Sequence, residues 1–199
     1  MNKSQFYLSQ CADAASKSTM YYTLGSVIVK GGKVISTGFN HQRPNYDTPG
    51  NNGRPVSMHA EMASIFNATR GAAPALKQQV KPGKCTATPT TTQRQRTGGK
   101  AAKQKGRQAV PGGGRSRCPK LNGCDLYVCR TTKNDGTKFG CSKPCWRCID
   151  WCAWAGIRRI FHWSAEEGRF ICLKVKDASP AECYETTADV RLLARAPLL

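Results

Sequence analysis

Two short fragments of the sequence contain the residue types that could do metal-assisted chemistry. They are residues 59–61 (His-Ala-Glu) and residues 144–148 (Pro-Cys-Trp-Arg-Cys). One imidazole and two thiolates form a tetrahedral Zn²⁺ ligand set, and three protein ligands leave the fourth position open, as in catalytic zinc sites. We therefore predict Zn²⁺ as the cofactor, with His59, Cys145 and Cys148 as its ligands. Glu61 lies two residues beyond the histidine and is the expected acid–base group.

Each fragment opens a predicted helix, which explains how its side chains would be positioned. Apolar residues recur at helical spacing over 58–70 and again over 145–155. Residues three apart on a helix share a face, so Cys145 and Cys148 are expected to point the same way. The N-terminus of a helix also favours the thiolate form, which is the form that binds metal.

Strand and helix patterns alternate around these two helices. We predict a first helix capped by Ser4, a hairpin of runs 24–29 and 33–39 turning at Gly31-Gly32, further strands near 125–130, 157–163 and 170–175, and a last helix opening at 179–182. This order predicts an α/β fold with three α/β/α layers around a mixed five-stranded sheet. Only six residues separate Trp163 from Phe170, too few for a parallel crossover, so the last two strands should be antiparallel.

The pair of motifs, His-x-Glu followed by Pro-Cys-x-x-Cys, is the signature of zinc nucleobase deaminases. The sequence resembles the cytidine/deoxycytidylate deaminase superfamily, also in residues 25–29 (Gly-Ser-Val-Ile-Val), 38–40 (Gly-Phe-Asn) and 159–161 (Arg-Ile-Phe). The resemblance implies a cytidine-deaminase-like fold with the ligands named above. It also implies that Glu61 moves protons from water to the base and to the departing ammonia, so that cytosine becomes uracil or adenine becomes hypoxanthine.

The resemblance also suggests residues that contact the substrate. The counterpart of Asn40 contacts the base or sugar in that family, and Ala60 lies inside the first motif. His41 and Tyr46 follow Asn40 and are candidate pocket residues. For Asn40 the alternative is a turn residue that ends a strand, and for His41 and Tyr46 it is an ordinary polar loop.

Subfamily indications conflict. The histidine form of the first motif is similar to the tRNA-adenosine, deoxycytidylate and polynucleotide cytidine branches, whereas antiparallel last strands are similar to the free-cytidine branch. The resemblance also suggests a homo-oligomer, either a dimer or a tetramer. We leave the subfamily open at this point.

The charge of the chain is concentrated in one segment. Lys and Arg number 31 against 12 Asp and Glu, a net charge of +19 that favours polyanionic partners. Residues 62–124 hold thirteen basic residues and no acidic one. Within them, 71–122 is Gly-, Thr- and Lys-rich, and we interpret it as a disordered insertion in a single domain spanning 1–199. It is either a surface loop that the fold tolerates or an arm that binds phosphates through Lys100, Lys103, Lys105 and Arg107. A nuclear localisation signal could coexist with such an arm.

Composition excludes other classes. The sequence has no apolar run of eighteen residues and no secretory pattern in its first twenty, so we expect no membrane span and an intracellular protein in the nucleus or cytoplasm. The eleven cysteines are then interpreted as free or metal-bound. A second metal site would require the four cysteines at positions 118, 124, 129 and 141.

Three function hypotheses follow. The first is an enzyme that deaminates a base, most simply cytosine, within single-stranded DNA or RNA, in agreement with the basic segment. The second is a deaminase of a free nucleoside or nucleotide. The third is a non-catalytic nucleic-acid-binding subunit, against which the intact Glu61 argues.

Overall fold

The computed structural model describes residues 2–43, 56–74, 118–132, 135–178, 184 and 186. Within them the helices are α1 (Lys3–Ala15), α2 (Ala60–Ala68) and α3 (Trp146–Ala155). The strands are β1 (Thr23–Lys30), β2 (Lys33–Phe39), β3 (His41–Arg43), β4 (Val56–Met58), β5 (Asp125–Thr132), β6 (Asp135–Gly140), β7 (Arg159–Ser164) and β8 (Arg169–Lys174). A short 3₁₀ turn, Val175–Asp177, follows β8. None of these helices has the length and apolar character needed to cross a membrane.

The main sheet is mixed, as predicted. Its strands run in the order β2-β1-β5-β7-β8, and β6 pairs with the end of β5. Strands β5 and β7 are parallel, while β7 and β8 are antiparallel, which confirms the argument from the short connection between them. The five strands of this path are the five predicted ones. Strand β6 and the two-stranded sheet of β3 and β4 were not predicted.

The hairpin between β1 and β2 turns where the two glycines predicted it. Gly31 and Gly32 have φ angles of 57° and 81°, which side chains other than glycine rarely adopt. Lys30 and Lys33 form the last pair of the ladder on either side of this two-residue turn.

Helices cover both faces of the sheet, which confirms the three layers. Side chains alternate along a strand, so neighbouring residues of β1 face opposite layers. Val27 and Val29 pack with Tyr7 and Cys11 of α1. Ile28 belongs to a larger buried cluster beneath α2 and α3, with Met62, Ile65, Leu126, Val128, Ile149, Trp151 and Ile160.

Helix α1 begins two residues earlier than predicted. Asn2, not Ser4, is its N-cap, and the Asn2 side chain accepts a hydrogen bond of 3.3 Å from the Ser4 amide. Both residue types cap helices well, and Asn2 takes the role because it precedes the first helical residue while Ser4 already lies inside the first turn.

Two predictions fall on parts of the chain that the structure does not describe. Most of the insertion at 71–122 lies outside the described residues, and its assignment stays a prediction. At its two ends, Pro74 and Leu121 are described and both are buried. The last helix, expected to open at 179–182, also lies outside the described residues.

Candidate metal centre

The two motifs place ligand side chains at the N-termini of α2 and α3, which pack against each other. His59 is the N-cap residue of α2 and Cys145 is the N-cap residue of α3, both with extended backbone. An N-cap side chain usually accepts a hydrogen bond from the first turn of its helix. Neither His59 nor Cys145 does so. Both side chains are turned toward a common point instead.

Three donor atoms meet at that point with the spacing of a tetrahedral zinc site. His59 Nδ1 lies 3.3 Å from Cys145 Sγ and 3.3 Å from Cys148 Sγ, and the two sulfurs are 3.6 Å apart. Usual Zn–N and Zn–S bond lengths at tetrahedral angles give edges of about 3.6 Å between nitrogen and sulfur and about 3.8 Å between sulfurs. The three residues therefore fit one Zn²⁺ ion with little movement.

The buried environment of the two thiols would favour binding of a cation. Cys145 and Cys148 are buried, and burial raises the pKa of the Cys148 thiol well above its usual value, with Cys145 as a further cause. Metal binding needs the thiolate form, so the energy of desolvating that charge must be offset. The two helix N-termini would offset part of it, and a bound divalent cation would offset the rest.

Glu61 lies in the first turn of α2 and is only 3% exposed. Burial raises the pKa of the Glu61 carboxyl, while the nearby His59 lowers this pKa and Cys145 raises it. A hydrogen bond with Cys148 also lowers the pKa of the carboxyl. The carboxyl group is therefore next to the three donors although it is not needed among them.

Strands β1 and β2 fix the start of α2. The buried Ser26 hydroxyl donates a 2.7 Å hydrogen bond to the Ala60 carbonyl. On β2, a Cβ at Gly38 would lie 2.7 Å from that same carbonyl and would collide with the Ser64 amide. Both residues stand in segments that carry the family resemblance, but their contact with the first turn of α2 was not predicted.

The start of α3 is held by a segment distant in sequence. The Trp146 amide donates a 3.2 Å hydrogen bond to the Tyr184 carbonyl, and Cys145 forms an isolated parallel bridge with Tyr184. The Ser142 hydroxyl also donates to the Val128 carbonyl at 2.8 Å. No spacing in the sequence signals the contact with Tyr184, since 38 residues separate it from Trp146.

The contacts of Asn40 within the chain are extensive. Its Oδ1 accepts a 2.8 Å hydrogen bond from the Leu24 amide, and its Nδ2 donates to the Tyr22 carbonyl at 2.6 Å. Nδ2 also lies 3.4 Å from Met20 Sδ. These bonds give Asn40 a structural role at the end of β2, which is the alternative considered for it. Its contact with substrate stays a prediction.

The structure describes only some of the other residues that were predicted to contact substrate or phosphate. Ala60 is buried and opens α2. His41 lies in β3, partly exposed, with its ring 5.7 Å from that of Phe39, and it pairs with Met58, the residue before His59. The following predicted residues lie outside the described residues: Tyr46, Lys100, Lys103, Lys105 and Arg107.

The remaining cysteines do not form a second cluster in the described part of the chain. None of the nine described cysteines is part of a disulfide. The group of His59, Cys145 and Cys148 is the one set of three or more potential ligands found among the described residues. The cysteines at 118, 124, 129 and 141 are thus not gathered into a metal site.

Comparisons with known proteins agree with this geometry. Residues 1–163 match the family model described as the cytidine and deoxycytidylate deaminase zinc-binding region. No curated protein sequence matches the chain.

Similar solved structures include dCMP deaminase from the cyanophage S-TIM5 in apo form, with 13% identity, a TM-score of 0.36 and coverage of 79% of each chain. The same enzyme in complex with dCMP and dUMP matches with 13% identity, a TM-score of 0.35 and coverage of 78% of this chain and 76% of that one. RibD from Acinetobacter baumannii matches with 16% identity and a TM-score of 0.33, over 79% of this chain and 27% of that one.

The zinc-binding description of the family and the His/Cys/Cys donor set agree on Zn²⁺ as the cofactor. The sheet order and the flanking helices are those of a cytidine-deaminase-like α/β fold. With a match over most of its length, this chain belongs to the cytidine and deoxycytidylate deaminase family.

Proposed function

We propose that the protein is a zinc-dependent hydrolytic deaminase that converts cytosine to uracil within single-stranded nucleic acid. One observation carries the proposal: an imidazole and two thiols converge at tetrahedral spacing, and a buried carboxyl group, Glu61, lies beside them. A ligand set of three residues leaves one coordination position for water, as hydrolysis requires.

Each residue of the centre has a distinct role in this proposal. His59, Cys145 and Cys148 would hold the ion. When bound, Zn²⁺ supplies a Lewis acid that lowers the pKa of a water molecule to about 7. Glu61 would accept a proton from that water, protonate the ring nitrogen of the base, and then deliver a proton to the departing amino group. One water is consumed and one ammonia is released for each cytosine converted.

The choice of a polynucleotide substrate depends on charge. Thirteen basic residues and no acidic one between positions 62 and 124 would neutralise backbone phosphates. A single strand is favoured over a duplex because the amino-bearing carbon of a base is out of reach inside the stack. In this proposal Asn40, Ala60, His41 and Tyr46 contact the target nucleotide, while Lys100, Lys103, Lys105 and Arg107 contact phosphates.

A second candidate is deamination of a free nucleoside or nucleotide. One observation favours it: β7 and β8 are antiparallel, as in the free-cytidine branch that the sequence also resembles. In this alternative the basic segment has no part in substrate binding.

A substrate panel separates the two candidates. The zinc-loaded full chain is incubated with single-stranded DNA, single-stranded RNA, duplex DNA, and free cytidine, deoxycytidine and their monophosphates, and the products are weighed by mass spectrometry. Deamination raises the mass of the product by one unit. A shift in oligonucleotides alone supports the first candidate, and a shift in free nucleotides alone supports the second.

Replacing Glu61 with glutamine tests the catalytic step. We expect zinc content to be unchanged and turnover to fall by about 10²- to 10⁴-fold, because the amide cannot accept the proton. Glu166→Gln, at an exposed position in the turn between β7 and β8, is the matched control and should keep full activity. Undiminished ammonia release from Glu61→Gln would refute the assigned role.

A further inference from the structure

Two exposed tyrosines and one arginine form a surface that the catalytic proposal does not use. Tyr21 is 80% exposed and Tyr22 is 57% exposed, and their rings meet edge to face with centroids 4.9 Å apart. The Arg130 guanidinium carbon lies 4.8 Å from the centroid of the Tyr22 ring. We refer to Tyr21, Tyr22 and Arg130 as the Tyr-Arg surface.

Strand register places this surface on the same side of the sheet as the metal centre. Arg130 of β5 pairs with Leu24 of β1, and Leu24 packs against the buried cluster beneath α2 and α3. Cross-strand partners share a face, so Arg130 lies on the face that carries these two helices. Val128, two residues earlier on the same face, is buried in that cluster.

The surface also lies at the end of the sheet where the ligand-bearing helices begin. Ser26 of β1 contacts the first residue of α2, and Tyr22 lies four residues before Ser26, toward the free end of the strand. Asn40 binds the Tyr22 carbonyl, and the residue after Asn40, His41, pairs with Met58 next to His59. A side-chain hydrogen bond of Asn40 and the pairing of β3 with β4 thus connect Tyr22 to the segment that contains His59.

Arg130 is held in place without a carboxylate partner. Its guanidinium lies over the Tyr22 ring, and it also lies close to Gly140, where a Cβ would be only 2.9 Å from Arg130 Nε. Arg158 and Arg159 pair with Asp125, and Arg169 pairs with Glu167. Among the described residues no carboxylate pairs with Arg130, so its charge is available to an anionic ligand.

We propose that the Tyr-Arg surface binds the single strand next to the target base, with a base stacked on Tyr21 and a backbone phosphate paired with Arg130. Exposed aromatic rings beside a fixed cation suit single-stranded nucleic acid because every base offers a face for stacking and every linkage carries a negative charge. The inference rests on the proposed polynucleotide substrate and specifies which residues bind it outside the catalytic centre.

Stacking is tested by equilibrium binding of the full chain. A fluorescein-labelled single-stranded cytosine-containing oligonucleotide of about fifteen nucleotides is titrated and followed by anisotropy. Tyr21→Ala should weaken binding by about five-fold to a hundred-fold, whereas Tyr21→Phe should bind as the parent does, because it keeps the ring. Phe6→Ala removes another exposed ring, on α1, and should have no effect.

The phosphate contact has its own signature. Removing one phosphate contact to a single strand lowers the slope of log Kd against log salt by about 0.7. Arg130→Ala should show this decrease, and Arg130→Lys should keep the slope of the parent. Arg158→Ala, which removes a 61% exposed arginine at the opposite end of the sheet, should leave the slope unchanged.

Several results would overturn the inference. The first is that the parent chain does not bind the single strand. The second is that the Tyr21→Ala and Arg130→Ala variants bind it as tightly as the parent. The third is that these variants lose as much affinity for a duplex of the same sequence as for the single strand. If the variants bind normally while oligonucleotides are still deaminated, only the Tyr-Arg surface is refuted. If oligonucleotides bind through this surface but only free nucleotides react, the polynucleotide substrate is refuted; the surface then binds single strands, but its proposed place next to a target base is refuted as well.

Discussion

The two faces of the main sheet are built alike, yet among the described residues only one face carries a cluster of three potential metal ligands. On the α1 face, Cys11 and Cys129 are buried beside Tyr7 and two valines. On the α2–α3 face, Cys145 and Cys148 are equally buried. Both faces have a glycine beneath a helix, Gly25 under α1 and Gly38 under α2. Buried thiols and close helix packing therefore do not by themselves make a metal site.

The difference lies in how the helices begin. Helix α1 has an ordinary N-cap, because the Asn2 side chain bonds to the Ser4 amide. Helices α2 and α3 begin with His59 and Cys145, neither of which caps its helix. Two adjacent helix N-termini, whose N-cap side chains make no capping hydrogen bond, bring donor atoms and positive partial charge to one point. On the other face α1 is the one helix within the described residues, and a single N-terminus cannot do this.

The largest expected effect is on zinc binding, when two variants are compared that each lack one buried thiol, one on each face of the sheet. Cys148→Ala should abolish stoichiometric zinc binding, because two donors remain, and it should abolish the decrease in Tm that a chelator causes in the parent protein. Cys11→Ala should keep zinc. Zinc content is measured by plasma mass spectrometry after dialysis, and zinc retained by Cys148→Ala would contradict the assigned ligand set.

The two glycines offer a finer comparison. A Cβ at Gly25 would collide with the Cys11 carbonyl of α1, and a Cβ at Gly38 would crowd the Ala60 carbonyl of α2. Both alanine variants should lose about 1–3 kcal/mol of unfolding free energy in urea titrations. Only Gly38→Ala should also weaken zinc affinity, by about ten-fold or more, because it displaces the helix that carries His59. Equal zinc affinities in the two variants would argue against this positioning role.

The cap of α1 provides a smaller test confined to one face. Asn2→Ala should cost about 1 kcal/mol of stability, since the Ser4 amide loses its partner. Zinc affinity should not change, because α1 lies on the opposite side of the sheet from the ligands. Asn2→Ser, which keeps a capping oxygen, should recover most of the lost stability in the same urea titration.

The smallest effect concerns the pH dependence of the α2–α3 face, where His162 follows Ile160 by two residues along β7. Burial lowers the pKa of His162, and Lys143 lowers it further, while Glu167 opposes them. The unfolded chain then binds the proton more readily than the folded one. The neutral form of His162 therefore contributes to the stability of the folded chain. This contribution is complete above the unfolded pKa of about 6.5 and declines as pH falls below it.

His162→Gln should therefore show a shallower loss of unfolding free energy between neutral pH and mildly acidic pH than the parent. The comparison of the two slopes removes the effect of other titrating groups that both proteins share. Identical slopes would show that His162 titrates alike in the folded and unfolded chains.

Local patterns predicted much of this molecule. The glycine pair gave the hairpin, apolar spacing gave α2 and α3, and the short connection after Trp163 gave the antiparallel direction of β8. The group of His59, Cys145 and Cys148 was predicted because residues three apart on a helix share a face, and because the two motifs together resemble the signature of zinc nucleobase deaminases. Each motif lies within a few residues of sequence, whereas the association of His59 with Cys145, 86 positions away, and with Cys148 was expected only from the resemblance.

Other features depend on pairs of residues far apart in the chain. Strand β6 forms only because β5 leaves a free edge beyond its pairing with β7. Ser26 supports α2 across 34 residues, and Tyr184 contacts the start of α3 across 38. Asn40 was predicted to contact substrate. Its side chain is hydrogen-bonded to the backbone of Leu24 and Tyr22, and the residues next to Asn40 in the sequence do not indicate these bonds.

The sequence by itself determined which atoms could bind zinc and which carboxylate stands near them, because ligand type and helical spacing are local properties. Only the tertiary structure decided that the two helix N-termini meet, that Tyr21, Tyr22 and Arg130 come together, and that Arg130 lies on the face of the sheet that carries α2 and α3. The reason is that such proximity is set by sheet register and helix packing. Both depend on contacts between residues that are distant along the chain and that no local pattern records.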